Sequence, residues 1–515
     1  MTTTILEMKG VRKTFGPVVA LDDVSLQLNS KEIHGFLGGN GAGKTTLMNV
    51  LYGLYKPDAG EIHLHGQKVD IQSPRDAIQL GIGMVHQHFL QIDNYTVTEN
   101  IVLGTRLRNN PTLKLDQQQQ RIAELSERFG LEVNPHALIE DLSMGVRQRV
   151  EILKALYRGV EILILDEPTT SLTPQEVDAL FQSLRVMVNE GMTVVFITHK
   201  LREVMSVCDR ISVLRNGRNA ITVNRAEASE EKLVQEMVGQ GTNLEKSLIF
   251  SESGLGQEAL PVGDKPVVQV ENLQVADNDG QPLVRDCSFE IYEKEIVGVA
   301  GVAGNGQQAL AESLLGIRPI AGGRVLISGA DISEFETSEL LARGVTYVPQ
   351  DRLGDGFLPK ANVAQNLLLG YQHQEPYSKR GFLNWPAIFK AARQQISRFD
   401  IKTTGPTEVA ANLSGGNIQR VMLARAFSHP AKFLVAHNPT RGLDIRSMEF
   451  VYANMLEQKN QGLAILLISE DLDELMLLCN RIAVIYQGQV MGILDRRQFD
   501  KYQIGRMMSG IKTDE

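Results

Sequence analysis

The sequence predicts an α/β fold built twice, each copy a mostly parallel sheet covered by helices, and three observations carry that expectation. At 515 residues the chain outgrows a single hydrophobic core, so more than one domain is expected. Landmarks of the first half recur in the second. Glu32-Ile33-His34-Gly35-Phe36-Leu37-Gly38 matches Glu295-Ile296-Val297-Gly298-Val299-Ala300-Gly301, and Gln87 matches Gln350, at one offset of 263 residues. Leu142-Ser143 and Cys208 match Leu413-Ser414 and Cys479 at an offset of 271, so a small insertion separates the two blocks and the period is that of a duplicated domain. Third, short apolar runs such as Ile162-Leu163-Ile164-Leu165, Val194-Val195-Phe196-Ile197 and Ile465-Leu466-Leu467-Ile468 read as strands buried on both faces of a parallel sheet. Helical patterns alternate with them. From Asp116 to Phe129, apolar Ile122, Leu125 and Phe129 recur at helical spacing with Gly130 as a stop, which leaves Gln117 to Gln120 on the wet face.

The copies are placed at 1–240 and 266–515, joined by a linker over 241–265 that includes Ser251-Glu252-Ser253-Gly254 and Pro261-Val262-Gly263. Hydrophobic residues at 43% and charged residues at 22% fit a globular protein and argue against a disordered or fibrous chain. A formal net charge of -9 without a long Lys/Arg run disfavours nucleic acid as a partner. No segment approaches the roughly 18 apolar residues of a membrane span, and Met1 to Gly10 lacks the basic and apolar regions of a leader. A cytosolic chain that does not cross a bilayer is therefore expected. Cys208, Cys287 and Cys479 lie far apart without metal-ligand spacing and read as small buried hydrophobes.

Gly38-Gly39-Asn40-Gly41-Ala42-Gly43-Lys44-Thr45 fits a phosphate-binding loop, preceded by an apolar strand and followed by the helix-compatible Thr46-Leu47-Met48-Asn49. Glycines let backbone N–H groups turn inward around phosphates, Lys44 supplies a point charge to them, and the Thr45 hydroxyl suits Mg2+. The strand Ile162 to Leu165 then delivers Asp166 and Glu167-Pro168-Thr169 at its C-terminal end, where open parallel sheets place ligands. Asp166 suits the metal, through water, and Glu167 suits orienting or deprotonating an attacking water. Without the loop, an acidic pair at a strand end reads equally well as a helix N-cap.

Leu142-Ser143-Met144-Gly145-Val146-Arg147-Gln148-Arg149 and Leu413-Ser414-Gly415-Gly416-Asn417-Ile418-Gln419-Arg420 resemble the ABC signature motif, and the resemblance covers both halves. It implies tandem ABC-type P-loop ATPase domains, each with an antiparallel β subdomain and a helical subdomain beside the core sheet. It also implies Gln87 as the Q-loop, His199 as the switch histidine and Phe15 as the adenine-stacking aromatic. Gln87 thereby joins Thr45 and Asp166 around Mg2+, and Lys44, Gln87, Glu167 and His199 form the catalytic set for ATP. The tandem arrangement resembles the ATP-binding subunits of sugar and nucleoside importers. Arg149 to Arg158 and Gly83-Met84-Val85-His86-Gln87-His88-Phe89 look most like the nucleoside branch. His86 and His88 could suggest a metal, but no further Cys/His cluster accompanies them, and a surface or permease-contact role is the favoured reading.

In the second copy the same positions have changed. Its loop reads Gly301-Val302-Ala303-Gly304-Asn305-Gly306-Gln307-Gln308, with Gln307 for the lysine and therefore no charge for the phosphates. His437-Asn438 stand for Asp166-Glu167, Glu470 for His199, and Asn278 for Phe15. The resemblance implies head-to-tail packing, each ATP lying between the loop of one copy and the signature of the other. The intact loop would then meet Ser414, Gly415, Gly416 and Asn417, with Asp444 of Gly442-Leu443-Asp444 reaching the same site. The altered loop would meet a signature in which Met144 replaces a glycine, and Ser171-Leu172-Thr173 lacks the aspartate. The alternative is a second copy that drifted as a scaffold, which predicts no preference for which signature stays intact.

The resemblance implies an ATPase peripheral to the cytoplasmic face of the inner membrane, partnered by two integral-membrane permease subunits and an extracytoplasmic solute-binding protein. Nucleosides are the favoured cargo, with ribose- or galactose-type sugars next and riboflavin third. The competing class is a soluble, non-transport tandem ABC ATPase. Such proteins typically carry two intact sites and a long charged linker, and neither is found here.

Overall fold

Every side chain along Ile162–Asp166, Thr193–Thr198 and Ile33–Leu37 is buried, which is why these continuous apolar runs form central strands and not the half-exposed strands of an alternating pattern. The computed structural model describes residues 3–87, 89–105, 115–239 and 262–512, and the chain divides into two units, 1–244 and 245–515. The expected linker lies outside the described residues apart from 262–265, as does His88.

In the first unit a six-stranded sheet runs in the order Arg218–Asn224, Arg210–Arg215, Ile33–Leu37, Thr193–Thr198, Ile162–Asp166, Ile82–Val85. All neighbours are parallel except the edge hairpin formed by the first two. Gly35 sits mid-strand because a β-carbon there would come within 2.8 Å of the Cys208 sulfur. A separate antiparallel sheet of Val18–Asn29, Thr4–Phe15, Ala59–Leu64 and Gln67–Val69 lies in the same unit. The helices Val97–Val102, Leu115–Phe129 and Met144–Tyr157 pack on one another as a third group. Leu115–Phe129 buries Ile122, Ser126 and Phe129, whereas Leu125 is only half-buried. The Ser126 hydroxyl can turn inward because it donates to the Leu131 carbonyl at 2.7 Å.

The second unit repeats this plan. Its six-stranded sheet runs Val345–Val348, Phe433–His437, Ala464–Ser469, Ile296–Ala300, Arg481–Tyr486, Gln489–Asp495, the same order read from the other edge. Its antiparallel sheet pairs Pro266–Ala276 with Pro282–Tyr292, and here one expectation is corrected. In the first unit Lys13 faces Leu21 and Phe15 faces Val18; in the second Val275 faces Val284 and the Asp277 N–H reaches the Gln281 carbonyl at 2.9 Å. The second hairpin carries one more residue in its turn, so Asp277, not Asn278, stands where Phe15 stands. All three cysteines are buried and free, and among the described residues no helix is long and apolar enough to cross a membrane.

Candidate functional site

The C-terminal ends of four parallel strands gather the first unit's chemistry. Ile33–Leu37 leads into the glycine loop, Ile82–Val85 into Gln87, Ile162–Asp166 into Glu167, and Thr193–Thr198 into His199. The loop has no room for side chains at two glycines. A β-carbon at Gly38 would lie 2.5 Å from the Leu214 carbonyl oxygen, and one at Gly43, whose φ is 101°, would lie 2.7 Å from that of Ala20. Ala42 is buried, and its carbonyl accepts from the Gly217 N–H at 3.0 Å, which clamps the loop to the sheet. Lys44 opens the helix Lys44–Leu51, followed by Thr45 and Thr46, so the ammonium and both hydroxyls sit at a helix N-terminus. The buried Lys44 Nζ donates to the Gly38 and Gly39 carbonyls at 2.6 and 3.1 Å, curled across a loop that also contains Asn40 and Gly41. Burial pushes its pKa below the usual lysine value, against the pull of Glu167 and Asp166.

Asp166 and Glu167 are adjacent in sequence but differ in environment. Burial raises the Asp166 pKa above the usual carboxylate range, partly offset by a hydrogen bond from Thr45. That contact brings together the hydroxyl and carboxylate that a hard, oxygen-seeking cation such as Mg2+ requires. For Glu167 burial also favours the neutral form, but it is outweighed by His199, Lys44 and Lys200, and the pKa falls. Its Oε1 lies 2.9 Å from His199 Nδ1 and its Oε2 accepts from Gln87 Nε2 at 3.1 Å. A glutamate held ionised and gripped from both sides is suited to orienting a water. Glu167 also has φ 48°, a left-handed conformation that glutamate rarely adopts. Phe15 is 42% exposed and meets Tyr55 edge-on at 5.2 Å, which leaves ring surface for a flat ligand. His86 instead packs edge-on to Tyr52, and no metal-binding group of His, Cys, Asp and Glu occurs among the described residues.

Sequence reasoning missed Glu203. Its buried carboxylate accepts from Thr169 Oγ1 at 2.6 Å and Thr198 Oγ1 at 2.8 Å, tying the segment after Glu167 to the residue before His199. The second unit repeats the tie with Thr440, Ser469 and Glu474. The signal was available, because all three positions keep their chemistry at the offset of 271.

The second unit keeps the loop's backbone but not its side chains. Gly304 and Gly306 have φ 91° and 98°, and Gln307 Nε2 donates to the Val302 carbonyl at 3.0 Å, much as Lys44 does to Gly39. Asn438 repeats the left-handed conformation at φ 45°, and its Oδ1 accepts from the Glu470 N–H at 3.0 Å. These residues line a cavity of about 420 Å³ together with Gln308, Gln350 and His437. The loop itself offers no cation, but Arg318, from outside the loop, also lines the cavity. It was missed because Tyr55 stands at its counterpart and no motif includes the position.

The two signature turns differ locally. Ser143 caps the helix Met144–Tyr157 through the Val146 N–H, and Gly145 is pressed so close to Glu176 that a β-carbon would lie 2.1 Å from its carboxylate. Ser414 and Gly415 are exposed and Gly416 is half-buried, while the Ser414 hydroxyl accepts from Asn417 Nδ2 at 2.9 Å and makes no cap hydrogen bond. Asp444 caps the helix Ile445–Asn460 by accepting from the Ser447 N–H at 2.8 Å, a task that Thr173 and Glu176 share in the first unit.

Compared with known proteins, the chain matches the ABC transporter family over residues 21–170 and again over 284–441. It belongs to that family. It is 40% identical over 512 residues to the nucleoside import ATP-binding protein NupA of Lactococcus lactis subsp. cremoris, covering 99% of each chain. The guanosine import ATP-binding protein NupO of Bacillus subtilis is 39% identical over 99% of this chain and 98% of its own length. The glucose import ATP-binding protein TsgD13 of Haloferax volcanii is 38% identical over 98% and 96% respectively. As a tandem ABC protein of this ATP-binding kind, the chain binds and hydrolyses ATP.

Proposed function

We propose that this ABC ATPase powers nucleoside import, and that it hydrolyses ATP at a single site built on Lys44 and Glu167. The observation that carries the second part is the gathering of Lys44, Gln87, Asp166, Glu167 and His199 at one sheet edge of the first unit, against Gln307, Gln350, His437, Asn438 and Glu470 in the second. In this reading 1–240 and 266–515 are the two ATPase domains and 241–265 joins them. Phe15 stacks on adenine, the loop from Gly38 through Thr46 cradles the phosphates, and the site is completed by Ser414, Gly415, Gly416 and Asn417. Mg2+ would be held by Thr45 and Asp166 with Gln87 nearby, and when bound it supplies positive charge to the phosphate oxygens. Glu167 orients the attacking water and His199 steadies that carboxylate.

Two membrane permease subunits and an extracytoplasmic solute-binding protein complete the importer, with this chain at the cytoplasmic face of the membrane. Nucleoside as cargo rests on the relatives at 40% and 39% identity. A monosaccharide is the second reading, favoured by the glucose-importing relative at 38%. Reconstituted with its permeases in liposomes, the chain should hydrolyse ATP faster when the binding protein carries nucleoside. Stimulation by glucose- or ribose-loaded binding protein instead would transfer the assignment to sugars.

A further inference from the structure

The cavity of the second unit has lost a lysine and two carboxylates together, and has acquired an arginine and, in place of a histidine, a glutamate. Where Thr45, Gln87 and Asp166 would hold Mg2+ in the first unit, the second presents Gln308, Gln350 and His437. None of these is the anionic oxygen ligand that Mg2+ prefers, and the one carboxylate lining the cavity, Glu470, stands in place of His199 and not of Asp166. Burial, with help from Arg441, pushes the His437 pKa down to about 4, so the imidazole is neutral and adds no charge of either sign at neutral pH.

We propose that this cavity binds the phosphate chain of a nucleotide without a divalent metal, Arg318 and the Asn438 amide supplying contacts that lysine and Mg2+ supply in the first unit. The inference rests on membership of the ABC family for the nucleotide's identity, and not on where hydrolysis occurs. Arg318 gives Nε to Glu312 Oε2 at 2.7 Å, and its other donors meet no protein acceptor among the described residues. A guanidinium fixed along one edge is well prepared to grip phosphate with the other. Asn438 is only 6% exposed; its oxygen is held by the Glu470 N–H, while its Nδ2 has no partner among the described residues. A buried amide nitrogen left without an acceptor is an exception in folded proteins, and here it lines the cavity, where a ligand's oxygen can satisfy it. The loop is still shaped for one, with Gly306 retained where a β-carbon would lie 2.3 Å from the Leu283 carbonyl oxygen. Glu470 opposes the terminal phosphate, so a diphosphate binds at least as well as a triphosphate.

The test uses the full chain carrying Lys44→Ala, which weakens the first site. Binding of ATP, ADP and pyrophosphate is measured by titration calorimetry in excess EDTA and again in excess Mg2+. One equivalent of ADP or ATP should bind equally well in both buffers. Adding Arg318→Ala should weaken it by about tenfold or more, Arg318→Lys by less, and Glu470→Gln should strengthen ATP more than ADP. The proposal is overturned if no nucleotide binds in EDTA, if Mg2+ is required, or if Arg318→Ala and Arg318→Lys both bind as the parent does. Pyrophosphate binding as tightly as ADP would overturn the nucleotide assignment. Mg2+-dependent ATPase of the unmutated chain is a separate readout, so failure of the hydrolysis site would be recognised independently.

Discussion

Both units hold a polar residue in a left-handed conformation at the end of the same strand, and only one is armed. Glu167 is clasped by His199 and Gln87, whereas Asn438 is clasped by the backbone of Glu470. The two units therefore share a backbone scaffold but not its reactive groups, because glycine loops and strand ends are fixed by close packing while side chains at a cavity wall can be exchanged. The comparison breaks most sharply at these two residues. Glu167→Gln should lower ATPase activity of the assembled transporter by about a hundredfold or more, and Asn438→Ala by less than about threefold. Equal losses would mean that both units hydrolyse ATP.

The next effect concerns the signatures. If Ser414, Gly415 and Gly416 serve the Lys44 site, Gly415→Met, which copies Met144, should cost about one to two powers of ten in ATPase rate. If the second unit does not hydrolyse ATP, Met144→Gly should leave the rate within about twofold. Steady-state ATPase assays decide the matter, and a harmless Gly415→Met would remove the head-to-tail pairing from the account.

Much of this contrast was legible in the sequence because its parts are linear motifs. The loop from Gly38 to Thr45, the Asp166-Glu167 pair and the exchanges at Gln307 and Asn438 can be read without a fold. Glu203 could not be read so easily, since a lone glutamate on a short helix looks like solvent-facing charge until the fold brings Thr169 and Thr198 to it. The Asn278 assignment failed for a different reason. A constant offset cannot register one extra residue inside a hairpin turn, and only strand pairing showed that Asp277 takes the place. Arg318 was hidden because it belongs to no motif and reaches the cavity from beyond the end of its helix.

The tie made by Glu474 gives the second unit a pH signature. Burial raises its pKa from 4.5 to about 7, while hydrogen bonds from Ser469, Thr440 and Tyr452 favour the ionised form and Asp471 opposes it. A carboxyl whose folded-state pKa is raised binds its proton more tightly in the folded unit. Its stabilising contribution is complete below pH 4.5, shrinks as pH rises towards about 7, and is gone above that. Glu474→Gln should therefore flatten the fall in unfolding temperature of the second unit across that window. Scanning calorimetry at several pH values checks this, and an unchanged slope would show that Glu474 does not titrate there.

The smallest effect isolates the backbone cost of arming a site. Glu167 and Asn438 have φ 48° and 45°, and asparagine tolerates this region where longer side chains do not. Comparing Asn with Gln at each position removes charge from the comparison and leaves the backbone preference, joined at position 438 by the hydrogen bond that Asn438 Oδ1 accepts from the Glu470 N–H. Glu167→Asn should be more stable than Glu167→Gln by about 1 kcal/mol, and Asn438→Gln less stable than the parent by a similar amount, as read from denaturant unfolding. Glu167→Asn would then be both inactive and the more stable of the two variants, the trade expected where strain is retained for function. If Gln matches Asn at both positions, the left-handed conformation costs glutamate nothing measurable here, and the asparagine of the second unit reflects lost chemistry alone.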